Sequence, residues 1–177
     1  MTTPEPTSIR LHGILKHSLV NGPGIRFVVF VQGCFHNCPG CHNPDSHDPN
    51  GGYIMSLSQL AGRMVSDKKL DGLTLSGGEP MLQANACRLL AREAHANGLS
   101  VWCYTGYLYE DIASGSIGPD AQALLQETDV LVDGPFQQNL ASETCLFRGS
   151  TNQRLVDVPA SLAAGKCVIY SEGGSTP

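Results

Sequence analysis

The sequence predicts an α/β domain whose mostly parallel sheet forms a partial (β/α) barrel, open on one side. Three observations lead there. Short apolar runs alternate with segments of helical period, the pattern of parallel strands joined by crossover helices. A complete (β/α)8 barrel takes roughly 250 residues, so a chain of 177 closes only part of one. Conspicuous polar loops follow three of the apolar runs, at the strand ends where such folds collect their sites.

Taken in order, residues 1–8 and 171–177 are expected to be flexible tails around a single domain spanning 1–177. The Gly/Pro turn "VNGPGIR" feeds a strand over Ile25–Gln32, and a cysteine-rich loop hangs from its C-terminal end. "SLSQLAGRMVSDKK" sets Leu57, Leu60, Ala61, Met64 and Val65 at helical spacing, with Ser56 or Ser58 as the cap. "GLTLS" reads as a strand. "QANACRLLAREAHANG" is a second helix with a stripe through Ala86, Leu89, Leu90 and Ala94 and a stop at Asn97-Gly98. "SVWCYT" returns as a strand, helical segments over Leu108–Ala113 and Asp120–Glu127 follow, and "DVLVDG" and "CVIYS" supply the last strands.

Composition narrows the class. Hydrophobic residues make up 41% and charged residues 15%, a globular balance. A net charge of −5 without a Lys/Arg-rich run argues against direct binding of nucleic acid. The longest apolar stretch, "IRFVVFV", suits a buried strand and is too short for a bilayer, so no membrane association is expected. The opening "MTTPEPTSIR" lacks a basic region followed by an apolar one, and a cytoplasmic protein is expected. There seven cysteines do not form a disulfide framework, and metal binding leads. Cys87, Cys103, Cys145 and Cys167 stand singly among apolar neighbours and read as core fillers.

The remaining three lie in "GCFHNCPGCHNPD". Cys34, Cys38 and Cys41 form C-x3-C-x2-C with no fourth cysteine nearby. Structural zinc wants four protein ligands, which His36 or His42 would have to complete. "CPGCH" also fits covalent haem attachment, which belongs with an export signal that is not seen here. Three thiolates suit a 4Fe-4S cube whose fourth iron stays open to a chelating small molecule. His36 and His47 read as polar loop residues.

The cysteine spacing together with "SGGEP" resembles the signature of radical S-adenosylmethionine enzymes. More closely, "VNGPGIRFVVFVQGCFHNCPGCHN", "LSGGEP", "WCYTGY", "DVLVDGPF" and "FRGSTNQR" resemble, in order from Val20 to Arg154, the activating proteins of anaerobic (class III) ribonucleotide reductase. The resemblance implies a partial barrel of the radical SAM type. It makes Cys34, Cys38 and Cys41 ligands of one 4Fe-4S cluster, with S-adenosylmethionine on the open iron. One electron then breaks a C–S bond, and the 5'-deoxyadenosyl radical abstracts a hydrogen atom. Gly77 and Gly78 would let the backbone approach the methionine, and Glu79 would accept from its ammonium group. Gly40, Cys41 and His42 would lie against the adenine, with Gly40 where many radical enzymes carry an aromatic residue. Thr105 and Asp133 would help bind a monovalent cation near the substrate carboxylate. Arg26 would meet a carboxylate or a partner backbone; otherwise it is a surface arginine.

By the same resemblance the partner is the large glycyl-radical chain of the reductase, and the electron comes from a low-potential donor such as flavodoxin or ferredoxin. Two other readings stay open. One is a radical enzyme acting directly on a nucleotide or other small molecule; the other is a noncatalytic zinc or electron-transfer module.

Overall fold

In the computed structural model, which describes residues 5–171, alternation of side chains along short strands divides the sheet into two unlike faces. The strands are β1 (Ser8–Ser18), β2 (Arg26–Val31), β3 (Tyr53–Ser56), β4 (Gly72–Gly77), β5 (Ser100–Tyr104), β6 (Val130–Asp133) and β7 (Arg154–Asp157). They form one sheet in the order β3-β1-β2-β4-β5-β6-β7. Pairing is parallel for β2–β4, β4–β5 and β5–β6, and antiparallel for β1–β2, β1–β3 and β6–β7. Five of the seven strands therefore point the same way. The sheet is open, with β3 and β7 as its edges, and does not close into a barrel among the described residues.

Phe27, Val29, Val31, Leu73, Leu75, Val101, Cys103 and Leu131 share one face and form the main core with the helices. Those helices are α1 (Leu57–Val65), α2 (Ala84–Ala96), α3 (Tyr109–Ala113), α4 (Pro119–Gln126) and α5 (Val158–Ala164). Their buried apolar side chains all belong to this core. Ser56 caps α1 as expected, its side chain accepting from Gln59 N. Positions one residue out of phase carry Thr74, Ser76, Trp102 and Tyr104 to the other face. There Trp102, Val130 and Val132 make only a small second cluster.

Several expectations are corrected. β1 is an eleven-residue strand that the sequence reading omitted, and its register breaks between Leu11 and Gly13 and between Leu15 and Ser18 blur the alternation. β3, β7 and α5 were also missed. "CVIYS" is no strand: it contributes an isolated bridge, Val156 to Ile169, and a bond from Tyr170 N to the Leu155 carbonyl. Of the expected tails, residues 1–4 and 172–177 lie outside the described residues. Ser8 already belongs to β1, and the Thr7 carbonyl accepts from Leu57 N at 2.9 Å.

Arg26 is neither exposed nor free. It is fully buried at the N-terminal end of β2, donating to Thr74 Oγ1, Ser100 Oγ and the carbonyls of Leu73 and Ser100. Burial lowers its pKa to about 10. Its work is to tie the starts of β2, β4 and β5 together, far from the loops that follow their other ends.

Candidate functional site

The loop after β2 is folded back on itself by backbone bonds: Gly33 N donates to the Ser46 carbonyl at 2.7 Å and Cys34 N to that of His47 at 3.1 Å. Gln32 Nε2 reaches the carbonyls of Asp45 and Asp48. A tight turn carries Cys41 N to the Cys38 carbonyl at 3.1 Å. The outcome is a cavity of about 340 Å³ lined by Cys34, Cys38 and Cys41, with Gly77, Gly78 and Thr105 also in its wall.

The second loop is welded to the first. Gly78 N donates to the Val31 carbonyl and Glu79 N to the Gly33 carbonyl, both at 2.8 Å. A Cβ on Gly77 would stand 2.5 Å from Val31 N, and one on Gly78 would strike the Gly33 carbonyl. Gly77 also has φ +102, a backbone that side chains rarely adopt. Both glycines are thus demanded by the backbone of β2 and its loop, before any ligand is considered.

Glu79 was expected to face a ligand. It is 1% exposed, and four protein donors converge on its carboxylate. Oε1 accepts from Met81 N and Thr105 Oγ1, each at 2.9 Å; Oε2 accepts from His36 Nε2 at 2.7 Å and Gly106 N at 2.8 Å. One carboxylate therefore joins the cysteine loop, its own loop and the loop after β5. The bond to Glu79 raises the His36 pKa, and the His36 ring meets Tyr107 edge-on at 4.6 Å. Thr105 reaches the cavity wall with its hydroxyl already donating to Glu79 and accepting from Tyr107 N.

Asp133 is fully buried and accepts from Arg154 Nε at 3.0 Å, from a second Arg154 nitrogen and from Tyr109 N at 2.8 Å. The charge expected to meet a cation is already met by arginine. His42 and Phe136 pack ring to ring at 4.7 Å in the cavity wall. Gly40 sits under Gln138, whose Cδ would lie 2.8 Å from an added Cβ.

With this geometry, a family described as a 4Fe-4S single cluster domain matches residues 20–156. The anaerobic ribonucleoside-triphosphate reductase-activating protein of Enterobacteria phage T4 is 36% identical over 77% of this chain and 86% of its own length. That of Escherichia coli K12 is 33% identical over 80% and 94%, and that of Salmonella typhi 32% over 82% and 96%. The chain belongs to the anaerobic ribonucleoside-triphosphate reductase-activating protein family. The crystal structure of QueE from Escherichia coli is similar over 56% of this chain and 52% of its own, with a TM-score of 0.39 and 15% identity.

For a member of this activating-protein family, an iron-sulfur cluster is the group against which the three thiols are measured. Among the described residues no three Cys, His, Asp or Glu side chains gather tightly enough for a single metal ion. A 4Fe-4S cube spreads its irons over separate corners, each held by its own thiolate. Three thiols around one cavity fit the cube. Burial raises the pKa of Cys34 and of Cys38, so a metal bound there would displace protons. Cys87 and Cys103 are fully buried fillers, as expected. Cys145 is not: it is half-buried in a surface loop.

Phe136, Gly149 and Gln153 were missed as wall residues, although "DVLVDGPF" and "FRGSTNQR" had been noticed as motifs. The structure supplies their physical role. Gln153 Oε1 accepts from Gly149 N and Ser150 N, its Nε2 donates to the Gly134 carbonyl, and Asn152 Nδ2 donates to that of Pro135. The second motif thereby clamps the loop after β6. No helix among the described residues is long and apolar enough to cross a membrane.

Proposed function

We propose that this protein is a radical S-adenosylmethionine enzyme that generates a glycyl radical on the large chain of an anaerobic ribonucleotide reductase. The observation that carries the reading is the cavity itself, where three thiols and no fourth cysteine stand with the Gly77-Gly78 backbone in the same wall. Cys34, Cys38 and Cys41 would hold a 4Fe-4S cluster, leaving one iron for the amino and carboxylate groups of S-adenosylmethionine. Bound together, the two supply reductive cleavage of the sulfonium C–S bond and a carbon radical able to abstract a hydrogen atom.

The chain's own contribution is position and enclosure. Its volume of about 340 Å³ falls in the range of small-molecule sites. Gly77 and Gly78 present backbone without side chains to the methionine end. Cys41 and His42 would border the adenine end, with Gly40 behind them against Gln138, and the His42–Phe136 pair offers an aromatic wall there. Glu79 holds the three loops in register. The open sheet supports a partial barrel whose uncovered side admits a protein segment. A low-potential carrier such as flavodoxin or ferredoxin would supply the electron, in the cytoplasm.

Anaerobic reconstitution with iron and sulfide, then dithionite and S-adenosylmethionine, tests the reading. It expects 5'-deoxyadenosine, and a glycyl radical by electron paramagnetic resonance only when the reductase chain is added. Cleavage without that radical would move the target to a small molecule. Metal binding without cleavage would reduce the protein to a module.

A further inference from the structure

The motif "FRGSTNQR" lies far from the cysteine loop in sequence, yet its side chains meet the loop after β6 at a single peptide group. Asn152 Nδ2 donates to the Pro135 carbonyl at 2.8 Å, the one side-chain hydrogen bond of Asn152 among the described residues. A carbonyl only accepts, so the nitrogen of the amide must face it. That leaves Asn152 Oδ1 buried without a partner, an unsatisfied atom that asks for a reason beyond packing.

What the bond fixes is the direction of the next N–H. In a planar trans peptide the C=O and N–H point opposite ways, and no peptide among the described residues is cis. Anchoring the Pro135 oxygen on Asn152 therefore aims the Phe136 N–H the other way, where it meets the Cys38 sulfur. The residue is pinned on its other sides as well. Gln137 N donates to Ser150 Oγ at 3.2 Å, and the Phe136 ring packs on His42 at 4.7 Å. Gly149 lies so close beneath that ring that an added Cβ would stand 3.0 Å from it.

Cys38 depends on this outside donor more than its neighbours do. Cys34 takes an N–H from His36, and Cys41 takes one from Asn43 at 3.4 Å, each two residues further along the same loop. The residue two after Cys38 is Gly40, at φ +71, and the tight turn there spends Cys41 N on the Cys38 carbonyl. Beyond its own N–H, Cys38 draws its donor from the loop after β6.

We infer that Asn152 is a positioning residue for the metal centre: it holds the Pro135–Phe136 peptide so that its N–H polarises the Cys38 ligand and raises the reduction potential of the cluster bound there. The inference rests on the cluster assigned to the three cysteines above. Reduction adds negative charge that spreads onto the ligand sulfurs, so an N–H aimed at one of them stabilises the reduced form more than the oxidised form. The bond that Asn152 makes at the other end of the peptide strengthens the donor.

The test uses Asn152→Leu in the full chain, which keeps the branched shape, removes the one bond and adds no charge. Two quantities are read. Amide hydrogen exchange of Phe136 in the metal-free protein is expected to quicken about tenfold, with Val132 in β6 at the wild-type rate. The midpoint potential of the reconstituted cluster, followed by electron paramagnetic resonance without S-adenosylmethionine, is expected to fall by a tenfold change in the one-electron constant, about 59 mV, at equal iron content. Ser150→Ala, which frees the neighbouring Gln137 N–H, should shift both quantities the same way and serves if Asn152→Leu does not fold. An unchanged potential at equal iron content overturns the inference. So does a lowered potential with Phe136 exchange unaltered, because Asn152 would then act by another route. If the wild type assembles no 4Fe-4S cluster, the inference falls with the cluster reading, and the iron and sulfide content of that sample tells this failure from the other.

Discussion

Replacing Glu79 by Gln keeps the shape of the side chain and removes one acceptor oxygen. On the Oε1 side the partners are Met81 N and Thr105 Oγ1; on the Oε2 side they are His36 Nε2 and Gly106 N. The hydroxyl can turn and the imidazole can present its other protonation state, but a backbone N–H cannot reverse. Whichever way the amide is placed, one buried backbone donor, Met81 or Gly106, faces another donor. An unsatisfied buried group costs about 1–3 kcal/mol, and the surviving bonds lose charge assistance worth about 1 kcal/mol each. Relief from burying a charge offsets part of this. The net expectation is a loss of about 3 kcal/mol, read as a fall of about 1.5 M in the urea midpoint of the metal-free protein if m is about 2 kcal/mol/M. Because His36 shares the carboxylate, His36→Ala and Glu79→Gln should be non-additive by about 1 kcal/mol. A Glu79→Gln midpoint within about 0.3 M of wild type would refute the idea that this carboxylate holds the loops together.

Other consequences are as direct. Single Ser substitutions at Cys34, Cys38 or Cys41 should abolish formation of 5'-deoxyadenosine and lower the iron retained after reconstitution, whereas Cys145→Ser should leave both unchanged. Gly78→Ala drives a methyl group into the Gly33 carbonyl and should destabilise by about 1–3 kcal/mol, measured by denaturant unfolding. Arg154 holds the Glu110 carboxyl below its ordinary value. The stability from this pair is therefore present above the ordinary carboxylate pKa and is lost as pH falls through the lowered one. Glu110 is 53% exposed, so the gap between wild type and Glu110→Gln should be at most about 1 kcal/mol at pH 7 and close as acid is added.

The parallel centre was legible because β2, β4, β5 and β6 are apolar runs whose connections carry helical periodicity. The convergence of the three loops followed from topology alone, since parallel neighbours end on the same side. β1 was not legible: its two register breaks destroy the period-two signal that identifies a strand. The partners of Glu79 and Asp133 were hidden for a different reason. His36 and Thr105 lie 43 and 26 residues from Glu79, and Arg154 lies 21 from Asp133, so no local spacing announces that these carboxylates are already engaged. Arg26 misled likewise, because an arginine bordering an apolar run gives no sign that four acceptors await it within the sheet.

The two faces of the sheet explain how such a site can remain open. Stability comes from the helix-covered face, where Leu60, Leu75, Leu90, Val101 and Leu124 are almost wholly buried; each contributes roughly 1.5–3 kcal/mol of burial. The opposite face is therefore free to carry Ser76 and Tyr104 into the cavity wall without collapsing on itself. What rigidity that wall has comes from hydrogen bonds between loops, chiefly Gly78 to Val31, Glu79 to Gly33 and the four donors on Glu79. A substitution in the helix layer should thus lower global stability while leaving the cavity's shape intact. A substitution in the loop network should loosen the cysteines before the sheet unfolds.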